Sequence, residues 1–260
     1  MLGALVLAYA NSSQAQTILA VDFDTAYSGG SARDTQTGFE TFLNPGDNTV
    51  TTNTYGSFDV TVAGGTSIGV LDLATGNAMN GRYRGSNGTP AIANSGAFTL
   101  EDVWSDRLVT NGAASGLADG SGAGLYIRVD GLSANTAYTF KAWGGDPAGG
   151  DLNDLDNYGF DATNESTSGL VALGNYTITG DPTTILNDDE YSISGTITTD
   201  ASGTLIYKSV NLSTNNATTG LATGPNGIIN GFTIVAVPEP SSFLLLTVGL
   251  VSLVAIRRRK

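Results

Sequence analysis

The stretch GLYIRVDGLSANTAYTFKAW, Gly124 to Trp143, alternates with a period of two on both sides of a turn-forming centre. In its first half Leu125, Ile127 and Val129 face one way and Tyr126, Arg128 and Asp130 the other. In its second half Tyr138, Phe140 and Ala142 oppose Thr139, Lys141 and Trp143. Strand side chains point to alternate faces, whereas a helix would need a spacing of three to four, so both halves read as strands. The intervening DGLSANT supplies Asp, Gly, Ser and Asn, the chemistry of a tight turn, and the pair reads as a β-hairpin.

The same texture runs from Ile18 to Ala236. Further strands are expected at ILAVDF, SFDVTV, AMNGRYR, GLVALGNYTIT, EYSISGTIT, GTLIYKSVN and IINGFTIVAV. In the late segments Tyr191, Ile193 and Ile197 share one parity, as do Phe232, Ile234 and Ala236. There is no convincing amphipathic helix, no internal repeat and no long linker. Short strands separated by polar turns argue an all-β fold, an antiparallel β-sandwich or jelly roll, in one domain over 16–236.

The chain has no His and no Cys. Disulfides, thiolate nucleophiles, Cys/His zinc sites and His-based triads are therefore excluded. A body this long can bury a sufficient core without disulfides. Asp and Glu number 24 against 11 Lys and Arg, for a net charge of −13. Four of the cations are Arg257, Arg258, Arg259 and Lys260, so the rest of the chain carries 7 cations against the same 24 acids, or −17. Such acidity repels nucleic acid and anionic lipid and leaves oxygen ligands for hard cations such as calcium. There is no phosphate loop, nucleophile elbow or dinucleotide fingerprint.

The two ends differ from the body. Leu2–Ala10 is a short apolar run and Ser13-Gln14-Ala15 a small-x-small site, so residues 1–15 read as a secretory signal peptide cut near Ala15/Gln16. Its basic n-region is missing, since no Lys or Arg precedes Arg33. At the other end Ser241–Ile256 is apolar apart from three Ser and one Thr. These 16 residues read as a transmembrane helix slightly shorter than the ~20 of a comfortable span. Pro238 and Pro240 block helix continuation upstream. Arg257, Arg258, Arg259 and Lys260 fix the far end on the cytoplasmic side, which places the body outside the inner membrane.

Val237-Pro238-Glu239-Pro240, the apolar stretch and the basic end together closely resemble the PEP-CTERM sorting signal of Gram-negative bacteria. The resemblance implies export through the secretion machinery and transient anchoring in the inner membrane. It also implies cleavage near Pro238-Glu239-Pro240 by an exosortase, a membrane-embedded transpeptidase-like enzyme. Delivery to the cell surface or extracellular matrix would follow, often alongside exopolysaccharide and biofilm systems. Separately, AVDFDTAYSGGSARDTQTGFETF and GLYIRVDGLSANTAYTFKAWGGDP resemble galactose-binding-like β-sandwiches. That likeness covers about a quarter of the body and implies a fold more than a ligand.

Candidate sites follow from chemistry. Sugar binding needs an aromatic face beside hydrogen-bonding acids or amides. Trp143 with Asp146, and Trp104 flanked by Asp102 and Asp106, supply those residue types, as would ordinary packing rings beside solvated turns. In DLNDLDNYGFD, Asp151, Asn153, Asp154 and Asp156 offer calcium ligands. Tyr158 stands where an EF-hand would place a third ligand, so a solvated acidic loop is the plainer reading. A glycan-cleaving enzyme would need only paired carboxylates, but nothing marks a particular pair. The expectation is a non-catalytic surface or matrix protein without a cofactor, with a carbohydrate-binding module and a carboxylate-dependent glycan-cleaving enzyme as alternatives.

Overall fold

The structure, a computed structural model, describes residues 15–25, 35–44, 50–65, 79–83, 93–94, 100, 103, 106–110, 124–144, 155–160, 171–174, 176, 184–185, 187–211 and 227–238. They contain strands and turns. The strands are β1 (Thr17–Thr25), β2 (Glu40–Asn44), β3 (Thr51–Tyr55), β4 (Phe58–Gly65), β5 (Met79–Tyr83), β6 (Ala93–Asn94), β7 (Asp106–Thr110) and β8 (Gly124–Asp130). There follow β9 (Ala137–Trp143), β10 (Leu155–Phe160), β11 (Val171–Gly174), β12 (Thr184–Ile185), β13 (Ser192–Thr198), β14 (Leu205–Asn211), β15 (Gly227–Ile229) and β16 (Gly231–Ala236). Among the described residues no helix is long and apolar enough to cross a membrane. The expected signal peptide through Gln14 and the sorting signal from Glu239 onward lie outside them.

Two sheets dominate. One has the order β13-β9-β16-β1-β2, the other β11-β10-β14-β8-β4-β3. They pack face to face over one core. Phe140 of β9 stacks on Tyr207 of β14 at 4.9 Å between ring centroids and on Phe232 of β16 at 5.3 Å. Phe23 meets Phe42 edge-on at 5.3 Å. Around these rings Val21, Ile193, Ile197 and Ile234 from the first sheet meet Val60, Val62, Leu125, Ile127, Val129 and Leu205 from the second, all buried. The alternation in the sequence is thus realised as an inward face on these strands, while β1 and β14 are buried on their opposite face as well.

Two small sheets accompany the sandwich, β15-β7-β5 and β12-β6. β15 passes across one end of the core. Tyr176 reaches in beside it, its hydroxyl donating to the Ile228 carbonyl at 2.6 Å and lying 2.8 Å from the Tyr207 hydroxyl. Burial pushes both phenols well above their ordinary range, for Tyr176 against a partly offsetting hydrogen bond from Tyr207. A second tie closes a side of the sandwich, where the Tyr55 hydroxyl of β3 donates to the Thr41 carbonyl of β2 at 2.7 Å. Burial, with a smaller contribution from Glu40, pushes Tyr55 up to about 12 although Asn53 pulls the other way.

The hairpin expected over Gly124–Trp143 does not form. β8 pairs with β4 and β14 in one sheet, while β9 pairs with β13 and β16 in the other. The connecting residues 131–136 are an arch across the end of the sandwich. The reason sits in the connection itself: Leu132 is only 7% exposed and belongs to the core. A two-residue hairpin turn carries no such plug; a six-residue crossing between sheets ~10 Å apart does. A real hairpin joins β3 to β4 through Gly56 and Ser57, with Gly56 at φ +62°. IINGFTIVAV divides at Asn230 into β15 and β16, and only Val171–Gly174 of GLVALGNYTIT is a described strand. Two pairings depart from the antiparallel expectation: β2 runs parallel to β1, and β12 runs parallel to β6.

Candidate functional site

The strands give the sandwich two distinct ends. β1 and β16 are antiparallel, with Thr17 opposite Val235, and the Ala236 amide donates to the Gln16 carbonyl at 3.1 Å. The first and last described residues of the body therefore leave it side by side. We call this end the proximal pole. β16 runs from the opposite end, where Gly231 is in register with Asp22 of β1 and Trp143 of β9, and Ser192 of β13 continues that row. This second end is the distal pole.

The proximal pole is built from two arches locked together. One is 131–136, between β8 and β9; the other is 199–204, between β13 and β14. Leu132 N–H donates to the Gly203 carbonyl at 3.1 Å, Asn135 N–H to the Asp200 carbonyl at 3.0 Å, and Thr199 N–H to the Thr136 carbonyl at 3.0 Å. Thr199 Oγ1 donates to the Ser133 carbonyl at 2.6 Å and accepts from Thr136 N–H at 3.0 Å. Gly131 and Gly203 are obligatory there. Both have positive φ, and a Cβ on either would come within 2.0 Å of a backbone oxygen, from Ser57 or Leu132.

Asp200 organises the second arch. It is 6% exposed, and its Oδ1 accepts from Ser202 N–H at 2.8 Å, Ser202 Oγ at 2.7 Å and Thr204 N–H at 2.9 Å. Burial alone would raise its pKa, but the Ser202 hydroxyl and the Thr204, Ser202 and Gly203 amides outweigh it, so the carboxyl lies below its ordinary value. Asp130 beside it accepts from Thr204 Oγ1 at 2.5 Å and pairs with Arg128 Nε at 2.8 Å.

The distal pole is acidic. Asp22 and Asp24 are each 3% exposed, and Asp22 Oδ2 accepts from Gln36 N–H at 2.8 Å. The turn 187–191 adds Asp188, Asp189 and Glu190. It closes on Trp143: the indole Nε1–H donates to the Asp188 carbonyl at 2.8 Å, and the Gly144 amide donates to the Tyr191 carbonyl at 3.0 Å. Tyr191 sits at φ +54°, unusual for a bulky residue, and Ser192 Oγ holds the turn by donating to the Asp189 carbonyl at 2.6 Å. Lys141 Nζ lies 5.0 Å from the Trp143 ring centroid and 2.5 Å from Asp189 Oδ1.

Trp143, singled out in the sequence as a sugar-stacking candidate, is thus 4% exposed, with Phe39 6.1 Å from its ring. Its neighbour Asp146 lies outside the described residues, as do Trp104, Asp102, Asp151, Asn153 and Asp154. Asp156 is a strand residue of β10, in register with Val210. The run read as one calcium loop therefore ends in a strand. Among the described residues no group of three or more His, Cys, Asp or Glu is arranged to hold a metal ion. Of the sorting motif, Val237 and Pro238 are exposed directly after β16, and Glu239, Pro240 and the cations Arg257–Lys260 lie outside the described residues. Sequence reasoning missed the NDDEY turn at 187–191, whose signal was an acid cluster immediately before a strand.

The fold and the position of its ends describe a β-sandwich followed at once by a C-terminal signal. Residues 236–260 match the model of the PEP-CTERM protein-sorting motif. That match marks an exported protein sorted to the cell envelope or surface and implies processing by an exosortase. No curated protein matches the chain. Among solved structures it is similar to the K1 cleaved adhesin domain of Lys-gingipain from Porphyromonas gingivalis W83, at 12% identity and a TM-score of 0.30, covering 74% of this chain and 99% of that one. A score of that size does not establish a shared fold.

Proposed function

We propose that this chain is a non-catalytic surface or extracellular-matrix protein, held in the inner membrane by its C-terminal tail until an exosortase releases it near Pro238-Glu239-Pro240. The observation that carries the reading is positional: the sorting motif begins at Ala236, the residue that ends β16. The expected signal-peptide cut at Ala15/Gln16 falls just before β1, beside that same residue. Both segments that would meet the membrane thus adjoin, in sequence, the paired ends of β1 and β16.

A structural or adhesive role fits a body stapled by arches, ring stacks and buried tyrosine hydroxyls in place of disulfides. The strand order supports reading it as a jelly roll. β1, β8, β9, β10, β11, β13, β14 and β16 make two four-stranded sheets, β1-β16-β9-β13 and β8-β14-β10-β11, with repeated crossings between them. The β3–β4 hairpin and β2 are additions at the sheet edges.

The test is mass spectrometry of surface material from a host carrying the sorting enzyme. The mature protein should lack Phe243–Lys260; recovery of the intact tail would count against the proposal. Pull-down on the host's exopolysaccharide separates the molecular roles. Binding lost in Trp143→Ala and Trp104→Ala would favour a carbohydrate-binding module. Reducing-end release from polysaccharide would favour an enzyme, and neither result leaves the structural role.

A further inference from the structure

The sorting motif follows the body with almost no spacer. Between Ala236, the last residue of β16, and Glu239 stand only Val237 and Pro238, both exposed. Fully extended they reach roughly 7 Å, and the stretch as far as Pro240 roughly 14 Å. β16 does not readily supply more chain. It lies between β1 and β9 in the middle of its sheet. Ala236 is in register with Tyr138 on one side, and its amide donates to the Gln16 carbonyl at 3.1 Å on the other. Drawing the strand out would break two ladders at once.

An enzyme that cuts a peptide holds the residues beside the cut in a concave site, and such a site has walls on both sides of the chain. Here the chain leaves with the sheet on both sides of it. Neighbouring strands stand ~4.8 Å apart. Thr17, at the start of β1, is therefore one strand from the exit on one flank, and Ala137, at the start of β9, one strand away on the other. Thr198, which ends β13 in register with Ala137, is two strands away, roughly 10 Å. These offsets are comparable to the reach of the link, so walls that close on Pro238 come up against the end of the sheet. Thr17 and Thr198 are exposed and Ala137 half-buried, and all three are short and uncharged, which leaves room for that approach. The carboxylates Asp59 and Asp130 stand at the same pole, in register with each other on the other sheet.

We propose that this sheet end, formed by Gln16, Thr17, Thr136, Ala137 and Thr198, is a docking surface for the exosortase that processes the tail. The chain itself fixes the occupant, because the segment that leaves here, residues 236–260, is the one that matches the sorting motif. The contact is imposed by the shortness of the link. Recognition then has two parts: the extended motif, and the end of the folded sheet beside it.

The proposal rests on the sorting reading, and its test separates the two. The chain has no cysteine, so single cysteines can be labelled without background. The full chain would carry a benzophenone label at Thr17→Cys, at Thr198→Cys or, as the distal reference, at Asp189→Cys, and would share proteoliposomes with the sorting enzyme. Cleavage of the unlabelled chain reports the sorting reading; its absence would overturn that reading and the proposal with it. With cleavage, illumination beside an inactive variant of the enzyme should give chain–enzyme adducts several-fold more abundant from Thr17 and Thr198 than from Asp189. Equal yields from the three sites, or adducts to lipid alone from the two proximal ones, would overturn the proposal and leave the sorting reading intact. A Gly/Ser spacer of about eight residues between Ala236 and Val237 adds roughly 15 Å of mean span. It should bring the proximal yields down to the distal level. Undiminished yields would also overturn the proposal, since the contact would then owe nothing to the short link.

Discussion

The two poles of this sandwich are made in opposite ways. The proximal pole is two backbone arches bonded to each other, with small side chains outside and one buried aspartate at its centre. The distal pole is closed by side chains: Tyr176 under β15, and Trp143 under an acidic turn. Backbone-locked ends tolerate almost no change at the positions that enforce the close approach, whereas side-chain closures can shift. The difference puts rigidity where β1 begins and β16 ends, and adaptable closures at the opposite end of the sandwich.

Glycine substitutions test that contrast with the largest effects. In Gly203→Ala the new Cβ would meet the Leu132 backbone oxygen at 2.0 Å with φ at +80°. Neither partner can move without opening both arches, so urea unfolding should show a loss of about 3 kcal/mol or more. In Gly144→Ala at the distal pole the new Cβ would meet the Tyr176 ring at 2.3 Å. A ring can swing, so the expected loss is smaller, about 1–3 kcal/mol. Gly56→Ala is the control: nothing lies within 4 Å, and only its φ of +62° opposes the change, at about 1 kcal/mol. Equal losses at Gly203 and Gly144 would break the contrast.

Hydroxyl deletion comes next. Tyr176→Phe removes the donor to the Ile228 carbonyl and the contact with the Tyr207 hydroxyl, at about 1–2 kcal/mol. The same pair sets the alkaline limit. A phenol whose folded pKa is raised leaves stability intact below its unfolded value near 10, and stability falls as pH rises above that. Thermal melts should decline above about pH 10, and Tyr176→Phe should flatten the decline.

These tests also mark what was legible. Strand existence was, because Leu125, Ile127 and Val129, or Tyr138, Phe140 and Ala142, can be buried together only on a pleated element. Which strands pair was not, because alternation is identical in a hairpin and in an arch; Leu132 was the residue that distinguished them. The sorting signal was legible because its chemistry is local: prolines, an apolar run and a cationic end act without a fold. The exposure of Trp143 was not, since the turn that covers it comes from residues 187–191, far along the chain.

At the proximal pole, Asp200→Asn keeps an acceptor but removes the charge that strengthens three hydrogen bonds to one oxygen. The expected loss is about 1 kcal/mol. The sign of its pH dependence is opposite to that of the tyrosines. Because the folded pKa is depressed, the contribution is complete above the unfolded value near 3.9 and disappears as pH falls through the folded one. The wild type should lose stability below about pH 4 more steeply than Asp200→Asn.

The smallest effect is expected on the distal surface. The Lys141–Asp189 pair is short, but Asp189 is 87% exposed, so water and salt screen it and Asp189→Ala should shift stability by no more than about 0.5 kcal/mol. Trp143 would still be held, because its indole bonds to the Asp188 carbonyl, a backbone group that the substitution leaves in place. Its fluorescence maximum should therefore stay at the wild-type wavelength. A red shift in Asp189→Ala would mean that the exposed ion pair, rather than the backbone of the turn, keeps water from the ring, and the distal closure would then be looser than its hydrogen bonds imply.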